Sequence, residues 1–371
     1  MKSFLNISRF IVGILFIFSG LIKANDPLGL SYKMQEFFEV WHWDMLNNYT
    51  LSFSINMIVF EIIAGVAVLL GWKMNVFSWL LLLLILFFTF LTGYAFLSGK
   101  VRECGCFGDC IPLLAYQSFL KDLALLLLIV IIFPFRNSIK PLVKPATALV
   151  ILLFSTIFSF ALQKHVLTHL PIVDCLPYRI GNNLPQKMAA PPGSIPDSTV
   201  ILFTYAKDGK QSSFTTDNFP TDFDDSYKFI KREDKLVRKG TSTAAIRDFA
   251  LQTASGTDTT FLLLNEPGYK LFLFIKDEYL PGSYDVQINR IIDKAASHNV
   301  KVFLVTNLEI GKGNALESTF SRLIPLRADG TAIKTAARYN PTLFLIHTGT
   351  VINKWSAPDF DIALESISQL K

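Results

Sequence analysis

Val76-Phe77-Ser78-Trp79-Leu80-Leu81-Leu82-Leu83-Leu84-Ile85-Leu86-Phe87-Phe88-Thr89-Phe90-Leu91-Thr92-Gly93-Tyr94-Ala95-Phe96-Leu97 is a run of 22 residues without one charged side chain. A helix rises about 1.5 Å per residue and the hydrocarbon core of a bilayer is about 30 Å thick, so this run is long enough to cross a membrane. Comparable runs lie near residues 7–24, 54–71, 119–135 and 146–163. Five transmembrane helices are expected. The first run follows Lys2 and Arg9, as the core of a signal peptide would, but Leu21-Ile22-Lys23-Ala24-Asn25-Asp26 offers no small-x-small cleavage site. It is read as a retained helix.

The chain has 371 residues, is 51% hydrophobic and carries 33 Phe, and its apolar excess lies almost entirely before residue 165. The remainder has ordinary globular composition, so two halves with different solvents are implied. The expected fold class is an integral membrane all-α helical bundle followed by an α/β domain outside the membrane. Boundaries are drawn at 1–135 for a four-helix membrane domain and 136–165 for a basic loop and the fifth helix. An exit segment and Pro-rich linker follow over 166–198, then an exterior domain over 199–371 whose core begins at about 268. The net charge of +5 has no Lys/Arg block with interleaved aromatics behind it. Nucleic acid is excluded as a partner, and the lipid bilayer is implied.

Basic residues in short loops set the orientation. Arg136, Lys140 and Lys144 crowd the connection between the last two runs, and Lys2, Arg9 and Lys73 fall on the same side. That side reads as cytoplasmic. The opposite loops dilute Lys23, Lys33, Lys100 and Arg102 with Asp26, Glu36, Glu39, Asp44, Glu103 and Asp109. Everything after residue 165 shares that outer face, the periplasm if the membrane is the inner membrane of a Gram-negative bacterium.

Three of the four cysteines lie in Cys104-Gly105-Cys106-Phe107-Gly108-Asp109-Cys110, and the fourth, Cys175, follows the last apolar run. All four fall on the outer face, where disulfides persist. A Cys-Gly-Cys pair can close a small strained ring that acts as an oxidant or exchange partner, with Gly105 supplying the backbone freedom. Cys110 either resolves that bond as a third thiol or pairs with Cys175; the spacing fits both. Cys104, Cys106, Cys110 and Cys175 are the candidate catalytic residues. Zinc binding and purely structural disulfides compete with this reading, but Cys-x-Cys-x3-Cys lacks the usual Cys-x2-Cys knuckle, and no metal is assigned.

Glu61 lies well inside the second run, where charge is costly, so it is expected to face the bundle interior. It is a candidate proton or quinone site, or the partner of a group such as Ser19. Trp41, His42 and Trp43 read as an interfacial anchor. His165 and His169, four apart, could chelate a metal if helical, but solvation is the simpler reading.

Residues 9–29, with Gly13, Gly20 and Lys23-Ala24-Asn25-Asp26-Pro27, resemble the opening helix of the DoxX family. Glu61 with Gly65, the Cys104-Gly105-Cys106-Phe107-Gly108-Asp109 run and Lys121-Asp122 resemble the related MauE group, over roughly residues 5–135. The resemblance implies a four-helix membrane bundle associated with redox processes. For MauE this is maturation of a disulfide-rich methylamine dehydrogenase, and for DoxX relatives it is quinone-linked sulfur oxidation. It also implies that Cys104 and Cys106 are the working pair, and it offers quinone as the cofactor to look for.

In the exterior half, 199–206 reads as a strand, Asp208-Gly209 as a hairpin turn and 231–235 as a solvated, mixed-charge surface. From about 268 the order is strand 270–276, helix 284–298, strand 301–306, helices 314–322 and 331–338, strands 342–347 and 350–354, and helix 360–370. This is the thioredoxin succession. Asn340-Pro341-Thr342 resembles the cis-proline loop of TlpA-like and ResA-like thioredoxin domains, which makes these three residues a candidate groove for a substrate or partner. Where those proteins carry Cys-x-x-Cys, this chain has Asp277-Glu278-Tyr279-Leu280-Pro281-Gly282-Ser283. Without a thiol there, the domain cannot perform dithiol exchange by itself.

The expected function is thiol–disulfide exchange at the outer face, coupled to quinone or to a periplasmic client or redox partner protein. The alternatives are a non-enzymatic assembly module and quinone-linked sulfur oxidation.

Overall fold

The computed structural model describes residues 2–370 except 100, 102–104, 106, 191–192, 194–197, 208–209, 216–217, 221–222, 225, 239–243, 248, 277–281 and 311–314. The membrane half consists of α1 (Lys2–Asn25), α2 (Pro27–Val40), α3 (Thr50–Leu70), α4 (Met74–Ser98), α5 (Ala115–Ile132) and α6 (Pro145–His169). All but α2 belong to segments long and apolar enough to span a bilayer, so the five expected crossings are present.

Between lipid-embedded helices there is little hydrophobic drive, and small residues let backbones meet. α1 and α3 use glycine in this way. A Cβ on Gly65 would lie 2.9 Å from the Gly13 carbonyl oxygen, and one on Gly20 would lie 2.5 Å from Ile62. The close crossing brings the C-terminal end of α1 against the middle of α3.

α2 was not anticipated, because Lys33, Glu36 and Glu39 interrupt its apolar pattern. Its start nevertheless carries a sequence signal. Asp26 caps it by accepting from the Gly29 amide at 3.0 Å, and Pro27 takes the first helical turn, where a missing N–H costs nothing. Ser31 donates to Thr50 at 2.9 Å and Ser54 donates to the Pro27 carbonyl at 2.7 Å, which pins α2 across the N-terminal end of α3. Beyond α2, Trp41 packs edge-on to Tyr94 and Trp43, with ring centroids 5.5 and 5.3 Å apart.

The exterior half contains α7 (Leu184–Met188), β1 (Ser198–Lys207), β2 (Lys210–Thr215), β3 (Lys228–Arg238), α8 (Thr260–Asn265), β4 (Tyr269–Ile275), α9 (Gly282–Ser297), β5 (Lys301–Thr306), α10 (Ala315–Thr319), β6 (Ile324–Arg327), α11 (Gly330–Ala336), β7 (Thr342–His347), β8 (Thr350–Ser356) and α12 (Phe360–Ser368). The main sheet has the order β6-β5-β4-β7-β8. β4 runs parallel to β5 and β5 to β6, while β7 is antiparallel to both β4 and β8. With α9 and α12 on one face and α11 on the other, this is a thioredoxin-like α/β domain.

β4 is buried on both faces, as a continuous apolar central strand should be. Leu271, Leu273 and Ile275 meet Ile288, Ile292 and Phe360 on one side. Phe272 and Phe274 meet Phe303, Phe344 and Ile333 on the other. That second layer also takes in Tyr178, Leu184, Ile246, Phe249 and Leu251, so the core draws on chain well before 268. The segment drawn as a linker over 166–198 is anchored accordingly: the Gly181 amide donates to Val351 and the Leu184 amide to Gly349, both at 2.8 Å.

A separate three-stranded antiparallel sheet, β2-β1-β3, interrupts the core-forming segments. Residues 231–235, read as a solvated surface, lie within its strand β3. Lys207 pairs with Lys210 across the hairpin, whose Asp208-Gly209 turn lies outside the described residues. β6 was also missed, because four residues interrupted by Pro325 carry too little periodicity to register.

Candidate functional site

The cysteine loop leaves α4 and returns at α5. Gly105 and Gly108 both adopt left-handed backbone, at φ +66° and +55°, which side-chain-bearing residues rarely do. Cys104 and Cys106, the expected working pair, lie outside the described residues. Cys110 forms a disulfide with Cys175 across 65 residues, with Cα atoms 4.7 Å apart. Of the two roles open to Cys110, the structure holds the pairing with Cys175, and neither sulfur is then a free relay thiol or a zinc thiolate. Two spans, α5 and α6, separate these cysteines, so the bond requires both to lie on one membrane face.

The exterior domain sits directly on this loop. Arg338 follows α11 and precedes the proline loop, and only 6% of its side chain is exposed. Its Nε donates to both Asp26 carboxylate oxygens, at 2.9 and 3.1 Å, and its Nη2 donates to Asp109 at 2.7 Å. Its guanidinium also lies 5.5 Å from the centre of the Tyr32 ring on α2. Burial by itself would lower the Arg338 pKa, but Asp26 and Asp109 outweigh it and hold the pKa above its ordinary value. One side chain of the thioredoxin-like domain thus ties together the cap of α2 and the residue preceding Cys110.

Three further contacts repeat the connection. Lys354 on β8 donates to Asp174, beside Cys175, at 2.6 Å. Burial pulls the Lys354 pKa below the usual lysine value, and Asp174 only partly offsets this. Asn25 and the Val173 backbone exchange two hydrogen bonds, at 2.8 and 3.0 Å. His169 at the end of α6 meets Asp359 at 2.9 Å, which gives the His165–His169 pair a structural task for its second member.

The Asn340–Pro341 peptide bond is cis. Asn340 accepts from the Lys276 amide at 2.9 Å, and the Thr342 hydroxyl donates to the Tyr339 carbonyl at 2.7 Å. Pro341 and Thr342 are buried. Asn340 and Thr342 thereby tie the proline loop to the residue after β4 and to the chain just before the loop. Tyr284, in the first turn of α9, shares a 2.8 Å hydroxyl–hydroxyl hydrogen bond with Tyr339. Burial, then this bond, raises the Tyr339 pKa to about 12. Asp277 to Pro281, where active relatives carry cysteines, lie outside the described residues.

Beneath the loop is a second polar centre. Glu61 is not partnered simply by Ser19: the Lys23 ammonium donates to both of its carboxylate oxygens, at 2.8 and 3.0 Å, and each side chain is 3% exposed. Lys23 had been counted among loop charges, yet it lies within α1 and is buried by the α1–α3 crossing. On α5, Lys121 pairs with Asp122 at 2.8 Å, and Asp122 also accepts from Thr92 of α4 at 3.1 Å. Both pairs line a cavity of about 20 Å³, with Ser19 on its wall and Phe107 of the cysteine loop at its edge. That is room for a water molecule.

Asp26 was detectable from its Asp-Pro cap signature. Arg338 and Lys23 carry no local signal, because their partners lie far away in the chain.

Fold and site together define a membrane helical bundle with a thioredoxin-like α/β domain seated on its cysteine loop. Residues 1–135 match the family described as methylamine utilisation protein MauE, and residues 199–239, the three-stranded sheet, match a domain of unknown function, DUF8463. A search of curated proteins finds no match. Among solved structures, the chain is similar to the Xanthomonas campestris bacterioferritin comigratory protein, at 16% identity and TM-score 0.26 over 33% of this chain and 92% of that one. It is similar to Xanthomonas campestris peroxiredoxin Q, at 16% identity and TM-score 0.27 over 34% and 93%. A third is BsSco, of the Sco family of cytochrome c oxidase assembly proteins, at 14% identity and TM-score 0.25 over 34% and 94%.

Proposed function

We propose that this chain is a thiol–disulfide exchange protein of a bacterial inner membrane, working through Cys104 and Cys106 at the periplasmic face and supporting maturation of an envelope protein. The observation that carries this reading is the Arg338 contact with Asp109, which seats a thioredoxin-like domain on a loop of clustered cysteines. The domain has no thiol at the usual position, and the loop supplies what it lacks. In the exchange, a client thiolate attacks the Cys104–Cys106 disulfide, that bond breaks and a mixed disulfide forms. The client's second thiol then displaces the loop cysteine, leaving the client oxidised and two thiols on the loop. A protein disulfide donor reverses the loop's reduction by the same steps. No step in this exchange runs through a quinone.

The second reading is a membrane-anchored assembly module whose disulfides are structural. The Cys110–Cys175 bond favours it, because it fastens the loop to the exit segment. Trapping separates the two. Cys104→Ser and Cys106→Ser variants, purified from membranes, are examined for a mixed disulfide with a second protein. Exchange predicts an adduct from one variant that reductant releases. Absence of adducts from both, with loop cysteines that never label, leaves the module.

A further inference from the structure

We propose that the Cys110–Cys175 disulfide is a redox-controlled latch: closed, it holds the exterior domain on the bundle, and reduced by a dithiol at the outer face, it lets the domain swing away about the end of α6. The inference concerns a different sulfur pair from the exchange reading and stands whether or not Cys104 and Cys106 exchange disulfides.

The bond joins two bodies. Cys110 belongs to the loop of the bundle. Cys175 belongs to an exit segment that is folded into the exterior domain, where Leu176 and Tyr178 are buried and the Gly181 and Leu184 amides are held by Val351 and Gly349. Each cysteine is preceded by an aspartate, Asp109 and Asp174. Arg338 of the exterior domain reaches Asp109 at 2.7 Å and Lys354 reaches Asp174 at 2.6 Å, with 6% of either cationic side chain exposed. The two cations also act on one another, and Asp26 acts on both. The disulfide sets the spacing of this cluster, because its Cα atoms are 4.7 Å apart and both aspartates adjoin them. With the bond open, the two carboxylates are free to part. Both cysteines are partly exposed, so the bond lies at the rim of the junction rather than within a core.

A hinge stands beside it. Leu170, the residue after α6, has φ +77° and ψ 160°, a conformation essentially confined to glycine. A residue with a side chain keeps that backbone only while its surroundings hold it there. Here they hold it from both sides: His169 meets Asp359 at 2.9 Å, and Asn25 exchanges two hydrogen bonds with Val173. Those contacts are solvent-exposed. Strain at Leu170 favours the swing, and the ion pairs and the disulfide oppose it. Release uncovers the loop at Asp109 and the start of α2, where Arg338 and Lys334 lie 5.5 and 5.6 Å from the centre of the Tyr32 ring.

The step balances. A thiolate of the reductant attacks one sulfur of the Cys110–Cys175 bond, which breaks as a mixed disulfide forms. The reductant's second thiolate then displaces the protein sulfur. The reductant is left as a disulfide, and Cys110 and Cys175 carry the two protons and two electrons that it gave up. Docking and reduction are thereby linked, and the linkage is reciprocal: whatever weakens docking makes the bond easier to reduce.

The test uses the full chain in lipid nanodiscs with Cys104→Ser and Cys106→Ser, so that Cys110 and Cys175 form the one disulfide the sequence still allows. Amide hydrogen exchange is followed peptide by peptide with the bond closed and after reduction by dithiothreitol. Reduction is expected to raise exchange about tenfold over 26–34 and 334–340 while β4 and β7 keep their protection. Unchanged exchange at the junction overturns the latch. So does an equal rise in β4 and β7, which would mean that the domain unfolds rather than departs. The reduction midpoint, read from alkylated Cys110 and Cys175 peptides across dithiothreitol ratios, supplies the converse. Arg338→Gln is expected to make the bond about tenfold easier to reduce. Leu170→Gly, which relieves the hinge, is expected to make it about fivefold harder. An unmoved midpoint in either folded variant overturns the proposal, and if Arg338→Gln does not fold, Leu170→Gly decides alone.

Discussion

Arg338 and Asp26 are 312 residues apart in sequence and 2.9 Å apart in space, joined through a guanidinium that belongs to the exterior domain and a carboxylate that caps a membrane helix. Because Arg338 also bonds Asp109, the contact fixes the domain over the cysteine loop as well as above the bundle. Removing one partner of a buried ion pair leaves the other desolvated and unpaired, which costs about 3–5 kcal/mol. Arg338→Ala should therefore loosen the domain from the bundle, seen as faster proteolysis within 170–190. Arg338→Lys should restore only part of the protection, since a single ammonium cannot reproduce the planar fork. Wild-type protection in Arg338→Ala would show that the other contacts suffice.

The disulfide predicts a covalent outcome. A protease site placed between Ser138 and Pro145, in the connection that leads into α6, should cut the chain into two pieces that separate on a denaturing gel only after reduction. With Cys175→Ser they should separate without reductant. Separation of the wild-type pieces in oxidising conditions would contradict the Cys110–Cys175 pairing.

The Lys23–Glu61 pair lends itself to a double-mutant cycle. Lys23→Met and Glu61→Leu alone each strand a buried charge and should cost about 3–5 kcal/mol in detergent unfolding. Together they should recover most of that loss, giving an interaction of at least about 2 kcal/mol. Additive losses would mean that the two side chains are not paired.

Tyr339 sets an alkaline limit. Its pKa, near 10 when unfolded, rises to about 12 in the fold, so the folded state holds the proton more tightly. The stabilisation is fully present below about pH 10 and is lost as the pH rises through about 12. Tyr284→Phe removes the 2.8 Å hydroxyl contact and should shift tyrosinate formation at Tyr339 toward lower pH, followed by ultraviolet difference spectroscopy against a Tyr339→Phe control. An unmoved titration would show that burial alone raises the pKa.

The spans and the thioredoxin succession were readable because each rests on a local pattern: apolar runs of membrane length, then short continuous apolar strands separated by helical segments. α2 was hidden because its polar face mimics a loop, although Asp26-Pro27 announced its start. β3 was hidden because charges such as Lys231 and Glu233 sit in a strand that pairs with β1. Glu61 was identifiable as a buried acid from its depth in the span. Its partner was not, because Lys23 meets it only after glycines let two helices touch. Arg338 lay beyond sequence reasoning altogether, since its significance comes from docking two domains.

The Cys110–Cys175 bond encloses α5 and α6. Until α6 has carried Cys175 back across the bilayer, the two sulfurs cannot meet, so the bond closes only on a chain whose last crossing is complete. It is in effect a record of finished insertion. A nascent chain stalled before that crossing keeps Cys110 unpaired, and is chemically distinguishable from the mature protein by a thiol at that position.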